Sequence, residues 1–192
     1  EVLIHAIDSI VSFHDFNGVV LLTKNNEVIF EKAQGFLDLE KRQPLNIKDQ
    51  FVIGSISKQI TAVLILKEWE KGGLSLEDTI DKFLPEIAQP WADQITIHQL
   101  LTHTHGIVSI DSLTVFEPGT QFQYSQLGYH LLSNIIERVS GKSFLEVATD
   151  LFESYGLENT FHPDDRRYQR LVQGYVEDEN GQFMYTPNSL YN

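Results

Sequence analysis

Strand-like sequence occurs near both ends of this chain and helical sequence fills the middle, and that order restricts the folds open to it. Near the start, "NGVVLLTKNNEVIFEKAQG" holds two β-rich runs on either side of Asn25-Asn26. Asparagine accepts the positive φ of a tight turn, so the spacing predicts an antiparallel hairpin. Near the end, "RLVQGYVED" and "QFMYTP" flank Glu179-Asn180-Gly181 and predict a second hairpin. Strands from both ends with helices between them are α+β organisation. The reading is one domain: an antiparallel sheet lobe from residues 1–60 and about 168–192, with a helical lobe of about 61–167 inserted into it. Clefts commonly form between two such lobes.

The helices follow from periodicity and caps. In "VLIHAIDSIVSF", Leu3, Ile7, Ile10 and Val11 recur at helical spacing. "FLDLEKRQPLNIKDQF" mixes charge with a proline and reads as a loop. In "ISKQITAVLILKEWEKGG", Ile56, Ile60, Val63, Leu64 and Lys67 form one stripe, and Gly72-Gly73 is the stop. Ser75 is expected to cap a short acidic helix, "LEDTIDKFL". Thr96 with Gln99, and Ser143 with Glu146, have the spacing of capping boxes; they open "IHQLLTH", expected to end at Gly106, and "FLEVATDLFESYG". "YHLLSNIIERVSG" turns Leu131, Leu132, Ile135, Ile136 and Val139 inward and closes at Gly141. Trp69 and Trp91 are expected as core or lobe-surface anchors, and the acidic runs "EDTID" and "EDEN" as solvated faces.

Composition narrows the functions. With 42% hydrophobic and 21% charged residues the chain is ordinary globular material. A net charge of -13 disfavours nucleic-acid backbones and anionic membranes, so no nucleic-acid partner is expected. The absence of cysteine rules out disulfides and thiol catalysis. No apolar run is long enough to span a bilayer. No basic segment followed by an apolar one opens the chain as a leader would.

The stretch "FVIGSISKQIT" carries the chemistry. Residues three apart share a helix face, so Ser55 and Lys58 stand side by side. Serine becomes a nucleophile once a neighbour takes its proton. Lys58 could be that neighbour if it is neutral, which asks for burial or another cation close by. The helix N-terminus would also stabilise an oxyanion near the Ser55 amide. The competing reading is plain: serine is a preferred N-cap, and lysine is common on exposed helix faces.

Two further stretches change the balance. "FVIGSISKQIT" resembles the F-x-I-G-S-x-S-K-x-x-T segment of the serine β-lactamases and penicillin-binding proteins, especially their class C-like DD-peptidase and esterase branch. "ITIHQLLTHTHG" resembles that family's I-T-I-x-x-L-L-T-H-T-S-G, with His105 in place of serine. "PGTQFQYSQLGYHLL" resembles its P-G-x-x-F-x-Y-S-N-x-G-Y-x-L-L, with Gln126 in place of asparagine. "GLENTFH" and "LVQGYV" are similar to later segments. The resemblance runs from about Asn17 to near the end and implies a β-lactamase/transpeptidase-like fold.

By resemblance, Ser55 is the acylated nucleophile, and Lys58 and Tyr124 share the proton work, with the choice of base open. The Ser55 amide is half of the oxyanion hole. Gln126 falls at a substrate-binding position, where its side chain carries the same amide group on a longer stem than asparagine. The implied substrates are β-lactams, D-alanyl peptides or small esters. No cofactor or metal is implied, and family members usually act after export, in the periplasm or outside the cell. The family's third motif, K-T-G or H-x-G, is not found in the chain, which reads as the N-terminal part of the domain with the C-terminal strands missing. The expected partners are therefore a small molecule or peptide, with a C-terminal chain or a strand-exchanged copy as a supplier of the rest. The alternative is an inactive form of the fold that binds peptide or a partner chain. A third reading, a metal hydrolase built on His98, His103 and His105, lacks a further ligand at close spacing. His103 is expected at a helix end, Tyr129 and Gly128 at a loop-to-helix entry, Ser57 and Thr61 in packing or capping, and His5, His14, His130 and His162 at the surface or in caps.

Overall fold

The structure, a computed structural model, describes residues 2–13 and 16–186. The chain divides into two compact units, Glu1–Val52 with Arg166–Tyr191, and Ile53–Asp165. Among the described residues no helix is long and apolar enough to cross a membrane.

The first unit opens with helix α1 (Val2–Phe13). Its inward residues are Val11, buried, and Ile4 and Ile7, half-buried. Leu3 and Ile10, expected on that face, are 61% and 60% exposed. The face 4, 7, 11 is the i, i+3, i+7 stripe displaced by about one residue, which the clustered apolar residues left unresolved. Lys32 ties α1 down by donating to Asp8 and Ser12, each at 2.6 Å. Strands β1 (Gly18–Lys24) and β2 (Glu27–Gln34) pair antiparallel, from Gly18 opposite Gln34 to Lys24 opposite Glu27. Asn25 and Asn26 have φ of 52° and 64°, the two positive values a type I′ turn requires.

The stretch read as a loop contains two short strands, β3 (Phe36–Asp38) and β4 (Gln43–Pro44), which pair antiparallel. Three and two residues are too short to show a period of two. The second hairpin is formed by β5 (Gly174–Glu177) and β6 (Phe183–Thr186). Within its turn the Asp178 carboxylate accepts from the Asn180 and Gln182 amides at 2.9 and 2.8 Å, so the "EDEN" run is partly a turn device. Pro187 and His14 lie outside the described residues.

The second unit is helical: α2 (Lys58–Glu70), α3 (Ile97–Leu101), α4 (Gln126–Ser140) and α5 (Phe144–Ser154). Its core joins Leu64 and Ile65 of α2, Ile97 and Leu100 of α3, and Leu131, Leu132, Ile135 and Ile136 of α4. Leu151 and Phe152 of α5 and Trp91 also belong to it. Each such side chain contributes roughly 1.5–3 kcal/mol by leaving water. Both capping boxes are present, at Thr96/Gln99 and Ser143/Glu146. Helix α4 ends at Gly141, whose φ of 68° is the left-handed stop expected there.

Three expectations for this unit differ from what is seen. The buried face of α2 is Thr61, Leu64, Ile65 and Glu68, whereas Ile56 and Val63 are 61% and 40% exposed. The helix is apolar nearly all round, so its pattern did not choose a face. "LEDTIDKFL" is a turn and one 3₁₀ turn at Ile80–Lys82 in place of a helix. There Asp78 accepts from the Ser75 amide and from Lys82, both at 2.7 Å, competing locally with helix formation. Helix α3 stops at Leu101, well before Gly106, because His103 takes the left-handed conformation at φ 58°.

Candidate active site

Ser55, Lys58, Tyr124 and Gln126 all lie in the helical unit. Ser55 sits in a 3₁₀ turn, Gly54–Ser57, that runs directly into α2. Its hydroxyl caps nothing. The N-cap position of α2 is Ser57, which makes no capping bond and donates to the Gly54 carbonyl at 2.7 Å. Ser55 Oγ instead lies 2.5 Å from Tyr124 Oη and accepts from Lys58 Nζ at 3.3 Å. The capping reading of Ser55 is thereby overturned.

Tyr124 is delivered by the segment that enters α4. Ser125 caps that helix, its hydroxyl accepting from the Gly128 amide at 3.2 Å. The following residue, Gln126, turns its Oε1 to Lys58 Nζ and accepts a hydrogen bond from it. The same ammonium lies 4.9 Å from the centre of the Tyr124 ring and 5.6 Å from that of Tyr129. Lys58 therefore touches the other three residues of the quartet.

His103 also packs against Tyr124. Its ring lies 4.7 Å from the Tyr124 ring and 5.0 Å from that of Tyr129. Its Nδ1 accepts from the Ser125 amide at 3.2 Å, and its carbonyl accepts from the Gln123 amide at 2.9 Å. His105 is fully buried, Nδ1 accepting from the Ile107 amide at 2.9 Å and Nε2 packed against Gly128. His98 is exposed on α3. Among the described residues no three His, Cys, Asp or Glu side chains group as metal ligands.

These surroundings shift the ionisable groups. Hydrogen bonds from Lys58 and then Ser55, with the charge of Lys58, hold the Tyr124 phenol below its ordinary value of 10.0. Burial, then the Lys58 charge, hold His103 below 6.5. Burial, then His103, push His105 down to about 4. Burial, then Tyr124, raise the Tyr129 phenol. The result is a serine hydroxyl beside a phenol whose anion is favoured by an adjacent cation, the arrangement general-base activation asks for.

Residues 6–188 match the model of the Beta-lactamase family. The chain belongs to the beta-lactamase family. Among curated relatives, Penicillin-binding protein 4* of Bacillus subtilis is 30% identical over 208 residues, which cover 92% of this chain and 46% of that protein. Among solved structures, the octameric penicillin-binding protein homologue from Pyrococcus abyssi is 29% identical, with a TM-score of 0.79 over 95% of this chain and 49% of that one. A penicillin-binding protein from Bacillus halodurans is 25% identical, with a TM-score of 0.82 over 93% and 64%. The chain thus spans about half the length of the first of these relatives. The mixed α+β architecture is that of the β-lactamase/transpeptidase fold over this part, and the family is one of serine hydrolases.

Sequence reasoning brought Ser55, Lys58, Tyr124 and Gln126 forward, and the structure gathers all four. It left His103 and Tyr129 as structural residues. The local sequence raised His103 only as a metal ligand, and its ring contacts with Tyr124 and Tyr129 arise only in three dimensions.

Proposed function

We propose that the chain carries the nucleophilic centre of a serine hydrolase that works through a Ser55 acyl-enzyme on β-lactams, D-alanyl peptides or small esters. The observation that carries this reading is the Ser55–Tyr124 hydroxyl pair at 2.5 Å with Lys58 against both.

Ser55 Oγ attacks the substrate carbonyl carbon while its proton passes to Tyr124 Oη. The Lys58 ammonium stabilises the phenolate that accepts it. A carbon–oxygen bond forms, and the carbonyl electron pair moves onto oxygen, next to the Ser55 amide. Collapse breaks the bond to the leaving nitrogen or oxygen, which takes the proton back from Tyr124. Water then repeats the sequence on the acyl ester, with Tyr124 accepting its proton and returning it to Ser55. Gln126, engaged with Lys58, serves first to hold the ammonium in place. The family's usual place of action supports an exported protein.

Intact mass after incubation with a fluorescent penicillin and, separately, with a fluorophosphonate tests the reading. This chain, any longer form of the protein and the Ser55→Ala variant of each are compared. An adduct that disappears in Ser55→Ala is expected. No adduct on any folded form would overturn the hydrolase reading and leave a fold that binds without reacting.

A further inference from the structure

We propose that His103, in its neutral form, is the positioning residue that holds the Tyr124 phenol against Ser55, and that protonation of its Nδ1 releases the phenol. For its consequence in catalysis this inference rests on the hydrolase reading; for its geometry it does not.

Tyr124 is 49% exposed and is not held by core packing. Its flanking residues are both fastened to one partner. The Gln123 amide donates to the His103 carbonyl at 2.9 Å, and the Ser125 amide donates to His103 Nδ1 at 3.2 Å. The His103 ring then lies against the Tyr124 ring, centroids 4.7 Å apart and planes 41° from parallel. Chain and ring are thus fixed by the same residue, which is itself 9% exposed and locked at φ 58°.

A ring nitrogen accepts a hydrogen bond only while it carries no proton. Protonated Nδ1 would face the Ser125 N–H donor to donor. The groups around the ring are Lys58 from α2, Tyr124 from the entry segment, Tyr129 from α4, His105 from its own loop and the edge of Phe122 at 5.8 Å. None of these is a carboxylate that would welcome an imidazolium, and Lys58 repels one. The neutral ring is favoured by burial and by Lys58, so the release falls on the acid side of the ordinary histidine value of 6.5.

Two readouts test this. Nuclear magnetic resonance of labelled protein follows the His103 ring, the Ser125 amide and the Tyr124 ring against pH. All three are expected to move together, with one midpoint below 6.5. Fluorophosphonate modification of Ser55 is followed over the same range. Below that midpoint the wild-type rate is expected to fall more steeply than that of His103→Asn, which accepts the left-handed backbone and offers an acceptor oxygen but does not titrate. His103→Gly, which lacks both acceptor and ring, is expected to react roughly 10- to 100-fold more slowly above the midpoint. A silent Ser125 amide while the His103 ring titrates, or an unchanged acid limb in His103→Asn, overturns the proposal. If neither this chain nor any longer form of the protein takes label, the hydrolase reading fails, and the resonance titration alone still decides whether His103 positions Tyr124.

Discussion

Tyr124 Oη and Ser55 Oγ lie 2.5 Å apart although 69 positions separate them in the chain. The contact joins the 3₁₀ turn ahead of α2 to the segment ahead of α4. Helices packed on a shared apolar core hold those two irregular segments in register, so the site's precision derives from residues such as Leu64, Ile65, Leu131 and Ile135 that take no part in the chemistry.

Removing the phenol oxygen should abolish the proton acceptor and leave the fold alone, because Tyr124 is exposed. Tyr124→Phe is expected to slow Ser55 labelling by about 10²–10⁴-fold. Labelling kinetics beside a circular dichroism spectrum check this; a rate close to wild type would move the base to Lys58.

The Lys58 hydrogen bond and charge hold the Tyr124 phenol below 10.0. The phenolate is the accepting form, so the labelling rate should rise with pH and level off below that value. In Lys58→Ala the titration of Tyr124 should move back up toward 10.0. Ultraviolet difference titration against Tyr124→Phe measures both midpoints; an unshifted midpoint in Lys58→Ala would remove Lys58 as the cause.

A methyl group at Gly128 would stand 2.5 Å from His105 Nε2. The ring cannot retreat, since it is fully buried and its Nδ1 holds the Ile107 amide. Alanine normally stabilises a helix interior relative to glycine, yet Gly128→Ala is expected to destabilise by about 1–3 kcal/mol. Adding His105→Ser should recover most of that loss. Denaturant unfolding of the four proteins gives the coupling, and additive effects would show that the two sites do not meet.

His105 is held neutral, with its value lowered from 6.5 to about 4 by burial. An unfolded chain takes up this proton first. The stability due to the neutral ring is therefore complete above 6.5 and is lost as pH falls toward about 4, a loss of about 3 kcal/mol in total. Unfolding midpoints measured across that range should fall for the wild type and fall less for His105→Ser. Parallel curves would assign the acid sensitivity to other groups.

Much of this was legible in the order of residues. Both hairpins, both capping boxes, the Gly141 stop and the inward stripe of α4 are local decisions, made by turn chemistry and by a single unambiguous apolar face. The pairing of Ser55 with Lys58 is also local, a consequence of three-residue spacing on a helical path. Where the apolar face was too broad, in α1, or ran nearly all round, in α2, periodicity had no means of choosing the buried side, and where Asp78 could bond either to backbone or to solvent, composition did not decide. The tertiary structure alone settled that Ser55 meets Tyr124 instead of capping a helix, that Gln126 reaches Lys58, and that His103 carries the chain on both sides of Tyr124. Those contacts cross dozens of residues, and they exist only after a shared hydrophobic core has fixed the helices whose ends present them.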